Sequence, residues 1–443
     1  MSNMSLKRFL VIITLACITL FNVAIGQNRI TTKLVSISEG FAESHVNAVI
    51  FRRNSISSYK GHQYVAFYDG EANVIFAKRK LESNVWEIHK TQYKGNVKDA
   101  HNSISIMHDG DGFLHMSWDH HNDTLRYAVS LTPETIKMGE KKSMIGKTEN
   151  KTTYPEFYKL ETGDLIFLYR DGSSGNGNLV MNHYDLKSKM WKRVQSNLID
   201  GEGERNAYWQ MCIDELGTMH LSWVWRETGN VATNHDICYA QSNDNGKSWK
   251  RSTGEVYDLP INEKNAEYVM RIPQNSNLIN TTSITADKSG SPFISTYFMS
   301  ETDQVTQFKV LFKLNGEWKS STVSKRKSDF ILGGGGTRSV PISRPQILVQ
   351  QKNDQKLIYV IYRDEEFDNK ICLASANIAD NMNWEIQTIN DHSMSRWEPS
   401  YDTELWRKFS LLHIYHQVTH QGDGDVLIDS APTQVGVLEV SFE

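Results

Sequence analysis

Met219-His-Leu-Ser-Trp223, Ile237-Cys-Tyr-Ala240 and Ser242-Asn-Asp-Asn-Gly-Lys-Ser-Trp249 are the three pieces that decide the fold. The first two alternate apolar and polar residues, the pattern of half-buried antiparallel strands. The third fits Ser-x-Asp-x-Gly-x-x-Trp, the Asp-box pattern. In it Asp244 and Gly246 shape a hairpin turn, and Trp249 packs into the sheet. The pattern marks a fold and says nothing about catalysis, so Asp244 reads as structural.

The same grammar recurs on both sides of this stretch. Tyr64-Val-Ala-Phe-Tyr-Asp69 precedes Val74-Ile-Phe-Ala77 and Trp86. Leu114-His-Met-Ser-Trp118 precedes Leu125-Arg-Tyr-Ala128. Leu165-Ile-Phe-Leu-Tyr169 leads to Leu179-Val-Met-Asn-His183 and Trp191. Later units begin at Phe293, Leu357 and Leu411. Seven units are spaced by roughly 50 to 75 residues, with turn signals such as Asp109-Gly-Asp-Gly112 between strands. Repeats of this length predict an all-β fold, a seven-bladed β-propeller of four-stranded antiparallel blades.

Composition removes other classes. Of 443 residues, 48 are Lys or Arg and 52 are Asp or Glu, a net charge of -4. That balance argues against a nucleic-acid partner. The 39% hydrophobic content is too high for a disordered chain. Lys7 and Arg8 precede an almost wholly apolar run from Phe9 to Ile25, the layout of a secretory signal peptide. Residues 1–26 are therefore read as a cleaved signal and 27–443 as a single catalytic domain. The mature chain is expected to be exported (periplasmic, cell-surface or secreted), without a membrane span, and a monomer. It keeps three cysteines, Cys212, Cys238 and Cys372, an odd number that leaves at least one unpaired or metal-bound.

Polar residues that repeat packing does not require concentrate in the second to fourth units. His101-Asn102 precedes one strand, and Trp118-Asp-His-His121-Asn follows its partner, so both imidazoles could face one pocket. Arg170 follows Tyr169 at a strand end, where a guanidinium can clamp a carboxylate. Tyr154, in Thr-Tyr-Pro, and Tyr208, in Asn-Ala-Tyr, stand at matching strand starts. Asn234-His235-Asp-Ile-Cys238 offers imidazole and sulfur to a zinc ion, with Cys212 and His220 on the adjacent hairpin. His45 lies before the first strand of the first unit. The run Gly333 to Gly336 is expected to overhang the central funnel.

Asp-Ala-His101-Asn, Trp-Asp-His-His121-Asn, Thr-Tyr154-Pro, Tyr-Arg170-Asp-Gly, Asn-Ala-Tyr208 and Asn-His235-Asp-Ile-Cys238 together resemble the seven-bladed propeller polysaccharide lyases that cut ulvan. The resemblance covers nearly the whole mature chain and is strongest in the second to fourth units. It implies β-elimination at rhamnose–uronate linkages of a sulfated algal polysaccharide. It assigns His101 and Tyr154 as the acid–base pair and Arg170 to the uronate carboxylate. His121, Tyr208 and Asn102 become substrate-binding. No cofactor is implied for catalysis. The resemblance also implies a structural zinc, which supports His235 and Cys238 as ligands, with Cys212 offered from the adjacent hairpin. A related family of exo-acting α-L-rhamnosidases uses a histidine on the opposite face, near the first blade, and His45 is the candidate for it. A non-catalytic glycan-binding propeller is the third reading.

Overall fold

Short apolar runs broken by Gly, Asn and Asp turns can form strands but not long helices, and strands dominate the chain. A computed structural model describes residues 30–49, 54–352, 355–380 and 382–442. The segment read as a signal peptide, 1–26, lies outside the described residues. The one α-helix among them is Thr403–Phe409. No helix of the described residues is long and apolar enough to cross a membrane.

Among the described residues the strands form six sheets. One four-stranded antiparallel meander runs Ile56–Tyr59, His62–Tyr68, Asn73–Lys80, Glu87–Lys94. Two more open at Ser283–Ala286 and at Gln346–Lys352. Burial is graded across each of them. Nearly all of His62–Tyr68 is buried, whereas Glu87–Lys94 is mostly exposed. A nine-stranded sheet contains two further meanders. They are joined through one parallel bridge, Gly177 to Asn206.

The expectation of seven four-stranded blades is met in part. Dividing the nine-stranded sheet at its parallel bridge gives seven meanders, but two of the seven have three strands. In the second, the short strand His121–Asp123 leaves its own sheet to pair with Thr152 and Thr153 of the next. The terminal sheet consists of Ile30–Gly40, Thr433–Phe442 and Leu412–His416. In it the first and last described strands pair antiparallel, with Ile30 opposite Phe442.

The expectation of half-buried strands needs correction. Leu114–Trp118 and Met219–Arg226 are buried at every position. Their sheets are covered on both faces, so the polar positions of the alternating pattern point into packed layers. Those side chains must find partners there. His115 meets the Tyr127 hydroxyl at 2.8 Å. His220 lies 2.7 Å from the Tyr239 hydroxyl and 3.0 Å from the Asp214 carboxylate.

The Asp box folds as read. The Asp244 carboxylate accepts from the Ser242 hydroxyl, the Ser248 hydroxyl and the Ser248 amide. The Trp249 indole donates to the Gly246 carbonyl and is fully buried.

Candidate functional site

The strand Thr152–Lys159 carries the first site residue. Pro155 has no N–H to give to a ladder, and pairing with Leu165–Ser173 is interrupted between Thr153 and Glu156. Tyr154 occupies this break with a left-handed backbone, φ 55°. A bulky residue there costs about 1–3 kcal/mol, which the surrounding packing must hold. Its ring lies 5.9 Å from that of His101 and 6.0 Å from that of Tyr208.

Arg170 stands opposite Thr153 on the neighbouring strand. Gly177 makes room for its stem, since a Cβ there would meet Arg170 Cγ and Cδ at 2.8 Å. The guanidinium donates through Nε to the Gly172 carbonyl and through Nη2 to the Thr153 hydroxyl, both at 3.2 Å. Nη1 is buried and has no hydrogen-bond partner among the described residues. The guanidinium carbon lies 4.9 Å from the Tyr154 ring centre and 6.0 Å from that of Tyr208.

Two residues that sequence reading did not place in the site complete it. Asp99 lies two positions before His101. Its Oδ1 is 2.6 Å from His101 Nδ1, and its Oδ2 is 2.6 Å from His121 Nδ1. The two imidazoles stack with centres 4.0 Å apart. Arg226 ends its strand as Arg170 nearly ends its own, after Trp225 as Arg170 follows Tyr169. Its Nη1 is 3.4 Å from the Tyr208 hydroxyl, and its guanidinium carbon is 5.3 Å from the Tyr208 ring centre. The repeat grammar held this signal, because both arginines follow an aromatic at the end of a second strand.

The electrostatics separate these groups. Burial pushes His101 below the ordinary histidine value, although Asp99 pulls the other way. Burial would raise Asp99, but hydrogen bonds from His101 and His121 hold it well below the carboxylate range. Burial and the nearby Tyr208 push Tyr154 above the usual phenol value, against the pull of Arg170. For Tyr208 burial is outweighed by Arg226 and Arg170, and its phenol is lowered. The cluster therefore offers a neutral imidazole, a protonated phenol and a buried guanidinium with one N–H unpartnered among the described residues.

Other expected residues are not brought to it. Asn102 donates its side-chain amide to the Asn96 carbonyl, and its own carbonyl accepts from the Tyr68 hydroxyl. It closes a turn, so its expected substrate contact finds no support. His45 Nδ1 lies 3.0 Å from the Arg396 carbonyl, and its Nε2 is buried with no hydrogen-bond partner among the described residues. Burial lowers it to about 4, with Glu398 and Arg344 among the charges that act on it. It belongs to a separate polar cluster.

The zinc set also does not assemble. His235 is held between Glu227, 2.8 Å from Nε2, and Asp236, 3.1 Å from Nδ1. Burial opposes its protonation, but these two carboxylates prevail and raise it. Cys238 is fully buried, and burial pushes its thiol well up. His235 is level with Trp225 and so with Ala207, whereas Cys212 is level with His220. Cys212 lies five positions beyond Ala207, roughly 16 Å along a strand. Cys212 instead lines a cavity of about 110 Å³ at the far ends of these strands, with Tyr158 and Lys159. Among the described residues, the one His/Cys/Asp/Glu group whose ligand atoms converge is Asp99, His101 and His121, within 4.8 Å of one another.

Comparison with known proteins places this architecture. The profile of BNR repeat-containing family members matches residues 62–326. The chain belongs to that BNR repeat-containing family. Within curated proteins it is similar to "Ulvan lyase, short isoform" of Alteromonas sp. (strain LOR), with 23% identity over 272 residues. That match takes in 47% of this chain and 52% of the relative, so the chain spans about half the length of the curated relative it matches. This BNR-repeat chain is also similar in fold to the crystal structure of polysaccharide lyase Uly1. The TM-score is 0.67 at 15% identity, covering 93% of this chain and 98% of that one. A PL25 ulvan lyase gives 0.66 at 14% identity, covering 90% and 96%. The same enzyme type bound to -[GlcA(1-4)Rha3S]- gives 0.63 at 13% identity, covering 93% and 96%.

Proposed function

We propose that this protein is a polysaccharide lyase that cuts rhamnose–uronate linkages of ulvan by β-elimination, on a seven-bladed propeller. The observation that carries this reading is the convergence of His101, from the turn before one sheet, with Tyr154 and Arg170, from adjacent strands of another. The similarity to ulvan lyases supports the substrate class.

The chemistry suits the groups. The proton at C5 of a 4-linked uronate is weakly acidic, and its removal puts charge on the carboxylate. Arg170, whose buried Nη1 has no acceptor among the described residues, neutralises that charge. His101 takes the C5 proton, because burial holds it below the ordinary histidine value and so neutral at physiological pH, with Asp99 on its Nδ1. The electron pair left on C5 forms the C4–C5 double bond as the C4–O4 bond breaks. Tyr154, which keeps its proton, delivers it to O4. The new non-reducing end is a 4,5-unsaturated uronate.

Incubation with ulvan tests the proposal. A lyase generates the ultraviolet absorbance of the unsaturated uronate, and the proposal fails if none develops. The unpartnered Nε2 of His45 favours a second reading, exo-rhamnosidase action. Free rhamnose without the chromophore would establish that alternative.

A further inference from the structure

The expected acid–base histidine does not stand alone. His101 and the more exposed His121 lie face to face, 4.0 Å apart and 20° from parallel. One carboxylate faces both, oxygen for oxygen, at 2.6 Å each. Asp99 also accepts from the His101 amide through Oδ1 at 2.9 Å, which fixes the turn that presents the ring. A nitrogen this close to an ionised carboxylate oxygen must carry a proton, because two facing lone pairs would repel.

We propose that Asp99 is the positioning residue of this site, holding the proton of both His101 and His121 on Nδ1 and turning both Nε2 lone pairs toward substrate. Nothing in the resemblance assigns Asp99 this work. The proposal rests on the lyase reading for its kinetic consequence, but not for the tautomers themselves. A wrong tautomer would present N–H where a base is needed, and the C5 proton could not be accepted.

Groups on several elements act on His101. Asp99 lies on its own turn, His121 on the strand that reaches the next sheet, Tyr154 on the strand beyond, and Asp425 on the loop before the last strand. Asp99 and Asp425 favour the imidazolium, and His121 opposes it. Removing Asp99 and removing His121 should therefore move the acid limb of the lyase pH profile in opposite directions.

The test uses the full chain with two variants, Asp99→Asn and His121→Phe. In ¹⁵N-histidine NMR, the unaltered protein should show Nδ1–H for both rings, and Asp99→Asn should mix the tautomers of both. With ulvan as substrate, Asp99→Asn should lower plateau kcat/KM by about 10²- to 10⁴-fold. It should also shift the acid limb down by roughly one pH unit. His121→Phe, which keeps a stacked ring, should shift it up. Nε2–H rings in the unaltered protein would overturn the proposal. So would an Asp99→Asn profile identical to that of the unaltered enzyme, or shifts of the same sign in both variants. Should Asp99→Asn fail to fold, the NMR of the unaltered protein and the His121→Phe shift still decide. Should no uronate polymer be cut, the lyase reading falls and the NMR measurement still judges Asp99.

Discussion

Arg170 is buried to 1% exposure yet keeps an N–H without a partner among the described residues, a costly state for a guanidinium that serves packing alone. Arg170→Ala is expected to abolish formation of the unsaturated product, as is His101→Ala. Each loss should be at least about 10²-fold in kcat, with the thermal melt retained. Arg170→Lys should recover little, because a point charge cannot reproduce the fork that spans Gly172, Thr153 and the pocket. The pH profile follows from His101. Its folded value is depressed, so the base form persists below pH about 6.5 and is lost only as pH falls through that lowered value. The acid limb of kcat/KM should thus lie below pH about 6.5. An acid limb above that value would contradict the assignment of His101 as base.

At the level of elements, the Asp-box hairpin gives the sharpest stability expectation. Gly246 has φ 80°, and a Cβ there would meet Met181 Cε at 2.3 Å. Gly246→Ala should destabilise by about 1–3 kcal/mol in urea unfolding. Trp249→Ala should cost more, about 3–5 kcal/mol. Neither should alter the substrate pocket directly. These elements were legible because turn chemistry and alternation are local properties of the chain. The site was legible where unusual polar residues stood at strand ends, as with His101, Tyr154 and Arg170. Alternation could not tell which sheets would be covered on both faces. His220 therefore looked like a ligand beside Cys212, and became a core histidine between Tyr239 and Asp214. Asn102 has the same neighbour as His101 but turns to backbone, a choice made by the tight turn from Asn96. Asp99 was hidden because its role depends on His121, which arrives from a strand that deserts its own sheet.

For the whole molecule, burial of several histidines sets the acid limit of stability. Burial lowers His45, His413 and His416 to about 4 each. Between pH about 6.5 and about 4 the unfolded chain binds protons at these positions and the folded chain does not. Stability should therefore fall as pH drops through this window, by up to about 1.4 kcal/mol per pH unit for each fully differential histidine. Urea midpoints at pH about 7.5 and about 5 should show it, and His413→Gln should soften the slope. Closure is equally global. Deleting 433–443 removes the middle strand of the terminal sheet and strands both neighbours, so the truncated chain should not fold cooperatively. The same pairing has a consequence for genetic design. Ile30 and Phe442 already sit side by side, so the described strands between them close on themselves. A circular permutant that joins these ends through a short linker and opens at the turn around Gly203, where a Cβ would meet nothing within 4 Å, should keep every strand pairing. The order in which the units are encoded would then be a convention of the gene and not a requirement of the fold.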